Sequence, residues 1–182
     1  MKVLIVIDMQ NDFINGSLGT KEAKAIVGNV VKRIESSEGE LIIFTQDTHG
    51  DDYLSTPEGQ KLPVPHCIEN SEGWQIEPVI LDAWRNNKNT LTAAEIHGNT
   101  FKKSVFGSTD LVSFLDINQD KIDEIELLGV CTDICVVSNA LMIKNTLPDI
   151  KISVNAACCA GVTPESHEAA LLVMKMCQVD VV

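Results

Sequence analysis

The sequence predicts an α/β fold in three layers, a mostly parallel sheet with helices on both faces. Three observations carry this. Apolar runs of strand length alternate with segments whose apolar residues recur at helical spacing. The runs are apolar throughout, not every second residue, as expected of strands buried on both faces. Several end in an acid or another polar residue, which in parallel sheets marks the edge where ligands bind. Parallel neighbours need right-handed crossovers, and the helical segments supply them.

The elements follow in order. "KVLIVID", residues 2–8, is the first buried strand and ends in an acid. Residues 20–36 read as a helix, with Ala23, Ile26, Val27, Val30, Val31 and Ile34 on one face. "LIIFTQD", residues 41–47, is the second strand. Residues 50–88 read as irregular, broken by Pro57, Pro63, Pro65 and Gly73. A stretch that long without regular structure is usually functional. "STDLVSFL", residues 108–115, is a helix capped by Ser108 or Thr109. "EIELLGV", residues 124–130, is the third strand, and "CVVSNALMIKN", residues 135–145, the helix after it. "DIKISVN", residues 149–155, is the fourth strand. "TPESHEAALLVMKMC", residues 163–177, is a helix with Thr163 as N-cap and Pro164 at its first position. "VDVV", residues 179–182, is a short last strand.

The chain is long enough for one domain spanning 1–182 with its own core. A net charge of −12 argues against a nucleic-acid backbone or an anionic membrane as partner. The first apolar run is five residues long, too short for a signal peptide or a spanning helix. Six cysteines without a secretion signal fit reduced thiols in the cytoplasm.

The strand ends carry the candidate chemistry. Asp8, Asp47, His49 and the segment "GVCTDIC" lie at the same edge, so Asp8, Asp47, His49 and Cys135 can converge. Taken singly, an acid after a strand is often a turn former and a cysteine in a first helical turn is often packing. Cys135 at a helix start, with Thr132 or Asp133 as cap, sits where free amides and the dipole favour a thiolate. The same amides suit an oxyanion. Cys131 competes for the nucleophile's role. The spacing C-x-x-x-C is neither a C-x-x-C dithiol nor a zinc ribbon, and Cys158 and Cys159 read as structural. Asp47 and His49 form a D-x-H, with Glu58 and His66 farther along the loop. Two histidines and two carboxylates suit Zn²⁺, Mn²⁺ or Fe²⁺, and the spacing fits a polar loop with surface histidines equally well.

Five motifs in order resemble the isochorismatase-like cysteine hydrolases, and within them the nicotinamidase/pyrazinamidase group. They are "VIDMQNDFINGSL", "TQDTHGDDYLSTPEGQKLPVPHC", "KKSVFGST", "LLGVCTDICV" and "AACCAGVTPESHEAAL". The resemblance implies a Rossmann-like sheet bearing an Asp–Lys–Cys triad: Asp8, Lys103 and Cys135. Lys103 is chosen over Lys102 because Phe106 completes a K-x-x-[YF] pattern. It implies an oxyanion hole of the Cys131 and Cys135 amides beside a cis Val130–Cys131 bond. It implies one divalent ion, Zn²⁺ with Mn²⁺ or Fe²⁺ as alternatives, on Asp47, His49 and His66, with Glu58 as the further ligand. A stacking aromatic usual in the group is replaced by Pro63, leaving Phe13 as an apolar wall, with Phe106 also placed against substrate. The expected activity is hydrolysis of a small aromatic amide to acid and ammonia through a thioester. The alternative is a related hydrolase acting on another amide or carbamoyl group without a working metal site. A homo-oligomer, dimer or tetramer, is also implied.

Overall fold

The computed structural model describes residues 1–87 and 99–182. Among the described residues the sheet has six strands, all parallel: β1 (Lys2–Ile7), β2 (Leu41–Asp47), β3 (Thr100–Lys103), β4 (Glu124–Val130), β5 (Lys151–Ala160) and β6 (Asp180–Val181). Their order is β3-β2-β1-β4-β5-β6, the doubly wound arrangement. The winding reverses between β1 and β4, and ligands bind at such a switch point. After the short helix α1 (Asn11–Ile14), helices α2 (Lys21–Glu35) and α4 (Pro78–Asn86) pack together on one face. Helices α5 (Thr109–Ile117), α6 (Val137–Thr146) and α7 (Pro164–Met176) form the other layer. The predicted three-layer architecture is the one observed.

The core is aliphatic and centred on β1, where Val3 to Ile7 are all buried. Helix α2 turns Ala23, Ile26, Val30 and Ile34 onto the sheet. Thr20 caps it by accepting the Ala23 N–H at 3.0 Å. Ser108, not Thr109, caps α5 through the Leu111 N–H. Thr163 and Ser166 form a capping box at α7, with Pro164 at its first position.

The structure departs from the sequence reading in four places. The segment read as irregular over 50–88 contains α3 (Pro57–Lys61) and α4, each opened by a proline at its first turn; position 88 lies outside the described residues. Strand β3 has four residues and little apolar pattern, so nothing in its sequence announced it. Strand β5 runs on to Ala160, past the predicted end at 155, with a register shift against β4 between Leu127 and Gly129. The helix expected from Cys135 is instead a π-type turn, Thr132–Val136, leading into α6.

Gly129 is required where it stands. Its φ is +122°, and a Cβ there would lie 2.1 Å from the Ile7 carbonyl oxygen. The β1–β4 approach at the switch point therefore depends on a missing side chain. Gly129→Ala is expected to cost at least about 2 kcal/mol, read as a lower urea midpoint with an unchanged slope.

Candidate active site

The loops after β1, β2, β3 and β4 meet at the carboxyl edge of the sheet, and four predicted residues meet with them. Asp8 ends β1 with φ at +48°, in the left-handed region that Asp tolerates better than most residues. Its Oδ1 accepts the Thr45 hydroxyl at 2.6 Å, and its Oδ2 lies 2.6 Å from Lys103 Nζ. The same ammonium is 3.2 Å from Asp47 Oδ1 and 3.4 Å from Cys135 Sγ. One buried cation thus touches two carboxylates and a thiol.

Strand register explains why Lys103 does this and Lys102 does not. In the parallel pair β2–β3, Asp47 is the partner of Lys103. Side chains alternate along a strand, so Lys102 faces away. It lies on the surface, 2.6 Å from Glu69 and 4.9 Å from the Trp74 ring.

Burial dominates the protonation of this group. It pushes the Asp8 carboxyl up, with Lys103 and Thr45 opposing. Burial also pushes the Cys135 thiol well up; the Asp8 charge adds to this, and Lys103 opposes it. Lys103 itself would be lowered by burial, but Asp8, Cys135 and Asp47 hold it above its ordinary value. Burial therefore works against the thiolate expected from a helix start, and Lys103 works for it and for an ionised Asp8. Neither Thr132 nor Asp133 caps the turn: Thr132 Oγ1 is 2.8 Å from His167 Nδ1, and Asp133 accepts the Val162 N–H. Cys131 is the N-cap, and its carbonyl accepts from the Ile134 and Val136 N–H groups. The Val130–Cys131 peptide bond is cis.

Beside the triad the loop residues form a donor cluster. Ligand atoms of Asp47, His49 and His66 lie within 4.8 Å of one another. Asp47 Oδ2 is 3.0 Å from His49 Nε2 and 3.4 Å from His66 Nε2. Glu58 Oε1 lies 3.9 Å from both histidines, so the fourth predicted ligand converges too. The loops are zipped by bonds from the His49 N–H to the Cys67 carbonyl and from the Glu69 N–H to the His49 carbonyl. His66 Nδ1 is 2.9 Å from the Val64 carbonyl, which leaves Nε2 as the acceptor in the cluster.

The donor set fits a divalent ion. Two imidazoles and two carboxylates suit Zn²⁺, Mn²⁺ or Fe²⁺. Charge points the same way: among the described residues, Asp8 and Asp47 share the one ammonium of Lys103 and Glu58 lies against the two histidines, an excess of negative charge that a divalent cation would balance. Burial favours a neutral Asp47, but the two histidines and Lys103 hold it well below the ordinary carboxylate range.

A cavity of about 260 Å³ connects these groups. Cys131 and Cys135 line it on one side, and Asp47, Glu58 and His66 on another. Phe13 and Phe106 are both in its wall, Phe13 buried and Phe106 exposed at the rim. Pro63 is exposed and does not line it; Leu62 takes that side.

Several supporting residues were missed by sequence reasoning. Gln10 is fully buried and clamps the Asp47 backbone, donating to its carbonyl and accepting its N–H. Asn139 ties the Phe106 and Cys135 carbonyls together. Asp12 holds the His66 loop through the Cys67 N–H. Tyr53 packs against both histidine rings and donates to the Leu62 carbonyl. Gln10 and Asp12 sit inside a quoted motif, and Tyr53 is the chain's one tyrosine, but spacing alone does not reveal what their side chains hold.

Comparison with known proteins gives consistent relatives. The sequence profile of the isochorismatase domain matches residues 2–182. The crystal structure of nicotinamidase PncA from Bacillus subtilis superposes with a TM-score of 0.79 at 30% identity, covering 99% of this chain and 98% of that one. The nicotinamidase/pyrazinamidase of Mycobacterium tuberculosis is 26% identical over 197 residues, covering 100% of this chain and 98% of the relative. The pyrazinamidase of Pyrococcus horikoshii, solved in complex with zinc, shares the fold with a TM-score of 0.75 at 23% identity, covering 100% and 98%.

Proposed function

We propose that this chain, which belongs to the isochorismatase domain family, is an amide-hydrolysing enzyme of the nicotinamidase type. Its reaction converts a small aromatic amide to the acid and ammonia through a thioester on Cys135. The observation that carries the reading is the single ammonium of Lys103 in contact with Asp8, Asp47 and Cys135, beside a cavity that Cys135 lines together with Asp47, Glu58 and His66 of the donor cluster and apolar Phe13, Leu18 and Ile134.

The neutral thiol needs a base as it attacks. Asp8, ionised beside Lys103, takes the thiol proton while Sγ bonds to the amide carbon. Charge builds on the carbonyl oxygen, which we assign to the backbone N–H groups of Cys131 and Cys135. Collapse breaks the C–N bond, and Asp8 returns its proton to the departing nitrogen. Water then attacks the thioester and Asp8 accepts a proton from it; as the C–S bond breaks, Asp8 returns that proton to sulfur, which restores the thiol and the ionised Asp8 and frees the acid. Lys103 keeps Asp8 in position and balances its charge during both transfers. A raised Asp8 pKa suits a group that must both accept and donate.

Asp47, His49, Glu58 and His66 would hold the divalent ion. When bound, it supplies a Lewis-acidic anchor for a ring nitrogen, away from the thiol. Phe13 and Phe106 then bound the ring on the apolar sides.

The test is ammonia release from nicotinamide, pyrazinamide and a panel of aliphatic amides and carbamoyl compounds. Turnover of the two aromatic amides is expected; turnover confined to the others would reject the reading. Metal content is a second check. The protein is expected to purify with about one divalent ion per chain by mass spectrometry. His66→Ala is expected to lose it, and Glu58→Gln to weaken binding by about 10- to 100-fold. Unchanged affinity in Glu58→Gln would remove Glu58 from the ligand set.

A further inference from the structure

A second cavity, of about 720 Å³, lies against the first. The two share four lining residues: Glu58, Leu62, Phe106 and Ile134. The inner one is slightly below the usual range for ligand sites, about 300–1,000 Å³, and one ring with its carboxamide is what it suits. The outer one falls well within that range and has nothing to do in the hydrolysis described above.

Its position relative to the chemistry is informative. It is lined by His49 and Glu58 of the donor cluster, but not by Asp8, Lys103 or Cys135. A molecule with its amide at Cys135 and its ring toward the cluster would reach it only with the part farthest from the amide. The departing nitrogen lies at the opposite end. The outer cavity therefore suits a substituent on the acyl ring, not the leaving group.

The partition and lining suggest what that substituent is. Leu62 and Phe106 are apolar and 38% and 47% exposed, so neither is locked into a core. Val105 continues the apolar surface at 58% exposure. Ser104 and Lys61 line the outer cavity with no side-chain hydrogen bond or ion pair among the described residues, which leaves donors for an acceptor group. Lys61 stands with Asp52 and Glu58 in the lining, and Glu58 belongs to the donor cluster, so the lining has no cationic excess to select an anion.

We propose, on the footing of the amidase reading above, that the preferred substrates are aromatic primary amides whose ring bears a second, neutral group. The carboxamide and ring fill the inner cavity, and the second group passes the Leu62–Phe106 partition into the outer one.

Metal-loaded enzyme would be assayed for ammonia release from nicotinamide, pyrazinamide, 5-phenylnicotinamide and 6-phenylnicotinamide. At least one phenyl compound is expected to match or exceed nicotinamide in kcat/KM. Ser104→Trp, which fills only the outer cavity, is expected to lower that value by roughly tenfold or more while changing nicotinamide by less than about twofold. Lys61→Trp gives an independent filling variant should the first misfold, with the same pattern expected. Hydrolysis of nicotinamide with no turnover of either phenyl compound would overturn the proposal, as would filling variants that slow both classes alike. Failure of all four amides would instead sink the amidase reading, and the proposal with it.

Discussion

Cys135→Ala is expected to abolish amide hydrolysis, with a loss of at least about 10⁴-fold in kcat, whereas Cys131→Ala keeps activity within about tenfold of the parent. Both thiols line the same cavity, so position alone does not separate them. What separates them is Lys103, whose ammonium lies 3.4 Å from Cys135 Sγ. Cys131 is used through its backbone, and alanine keeps that N–H. Burial, followed by the charges of Asp133 and Asp8, pushes the Cys131 thiol up to about 12. The Cys135 thiol is pushed up too, which gives a pH test with a definite sign. A raised pKa keeps the thiol protonated at pH 7. Iodoacetamide should modify resting Cys135 slowly there, and faster only above the ordinary thiol value of about 8.5. Rapid alkylation at pH 6 to 7 would show that a thiolate is stored before substrate arrives, and Asp8 would lose its role as first base. Metal content of Cys135→Ala should match the parent, because Cys135 lies outside the donor cluster.

Lys103→Met is expected to remove activity and a large part of the stability together. Lys103 is buried against Asp8 and Asp47, both themselves buried. Methionine has a similar length and no charge, so the change leaves two carboxylates facing each other without their cation. Breaking a buried pair from one side costs about 3–5 kcal/mol, because the partner's charge stays behind uncompensated. Activity should fall by at least about 10²-fold, since Asp8 then becomes harder to ionise and is no longer held against the thiol. Urea unfolding and ammonia release read the two effects separately. Adding Asp8→Asn to Lys103→Met removes one orphaned charge. That double variant should regain part of the stability and none of the activity. Recovery of both would mean that the Lys103–Asp8 pair is structural.

The alternation of buried strands and helices was legible because it is a local pattern. So was the cap at Thr163, where residue type and position suffice. The motif segments carried Asp8, Asp47, His49 and Cys135, at or just beyond strand ends, and His66 farther along the loop after β2. Strand β3 was not legible: it is four residues at a sheet edge, and it forms because β2 offers it a partner. Its register nonetheless selects Lys103, a choice that the sequence supported only by resemblance. Helix α3 was hidden by Pro57, which read as a breaker but stands at its first turn. Gln10, Asn139 and Tyr53 were invisible for another reason. Each acts on backbone or rings from a distant segment, and no spacing encodes such a contact.

By itself, the amino-acid sequence determined the layer architecture and which side chains were available at one edge of the sheet. Hydrophobic periodicity and capping are properties of neighbours along the chain, and they act before any long-range contact forms. Only the tertiary structure decided that one ammonium would join Asp8, Asp47 and Cys135, and that burial would push the thiol up. Both outcomes depend on burial and on strand register. Burial sets how strongly charges interact, register sets which of them meet, and neither exists until the sheet has closed.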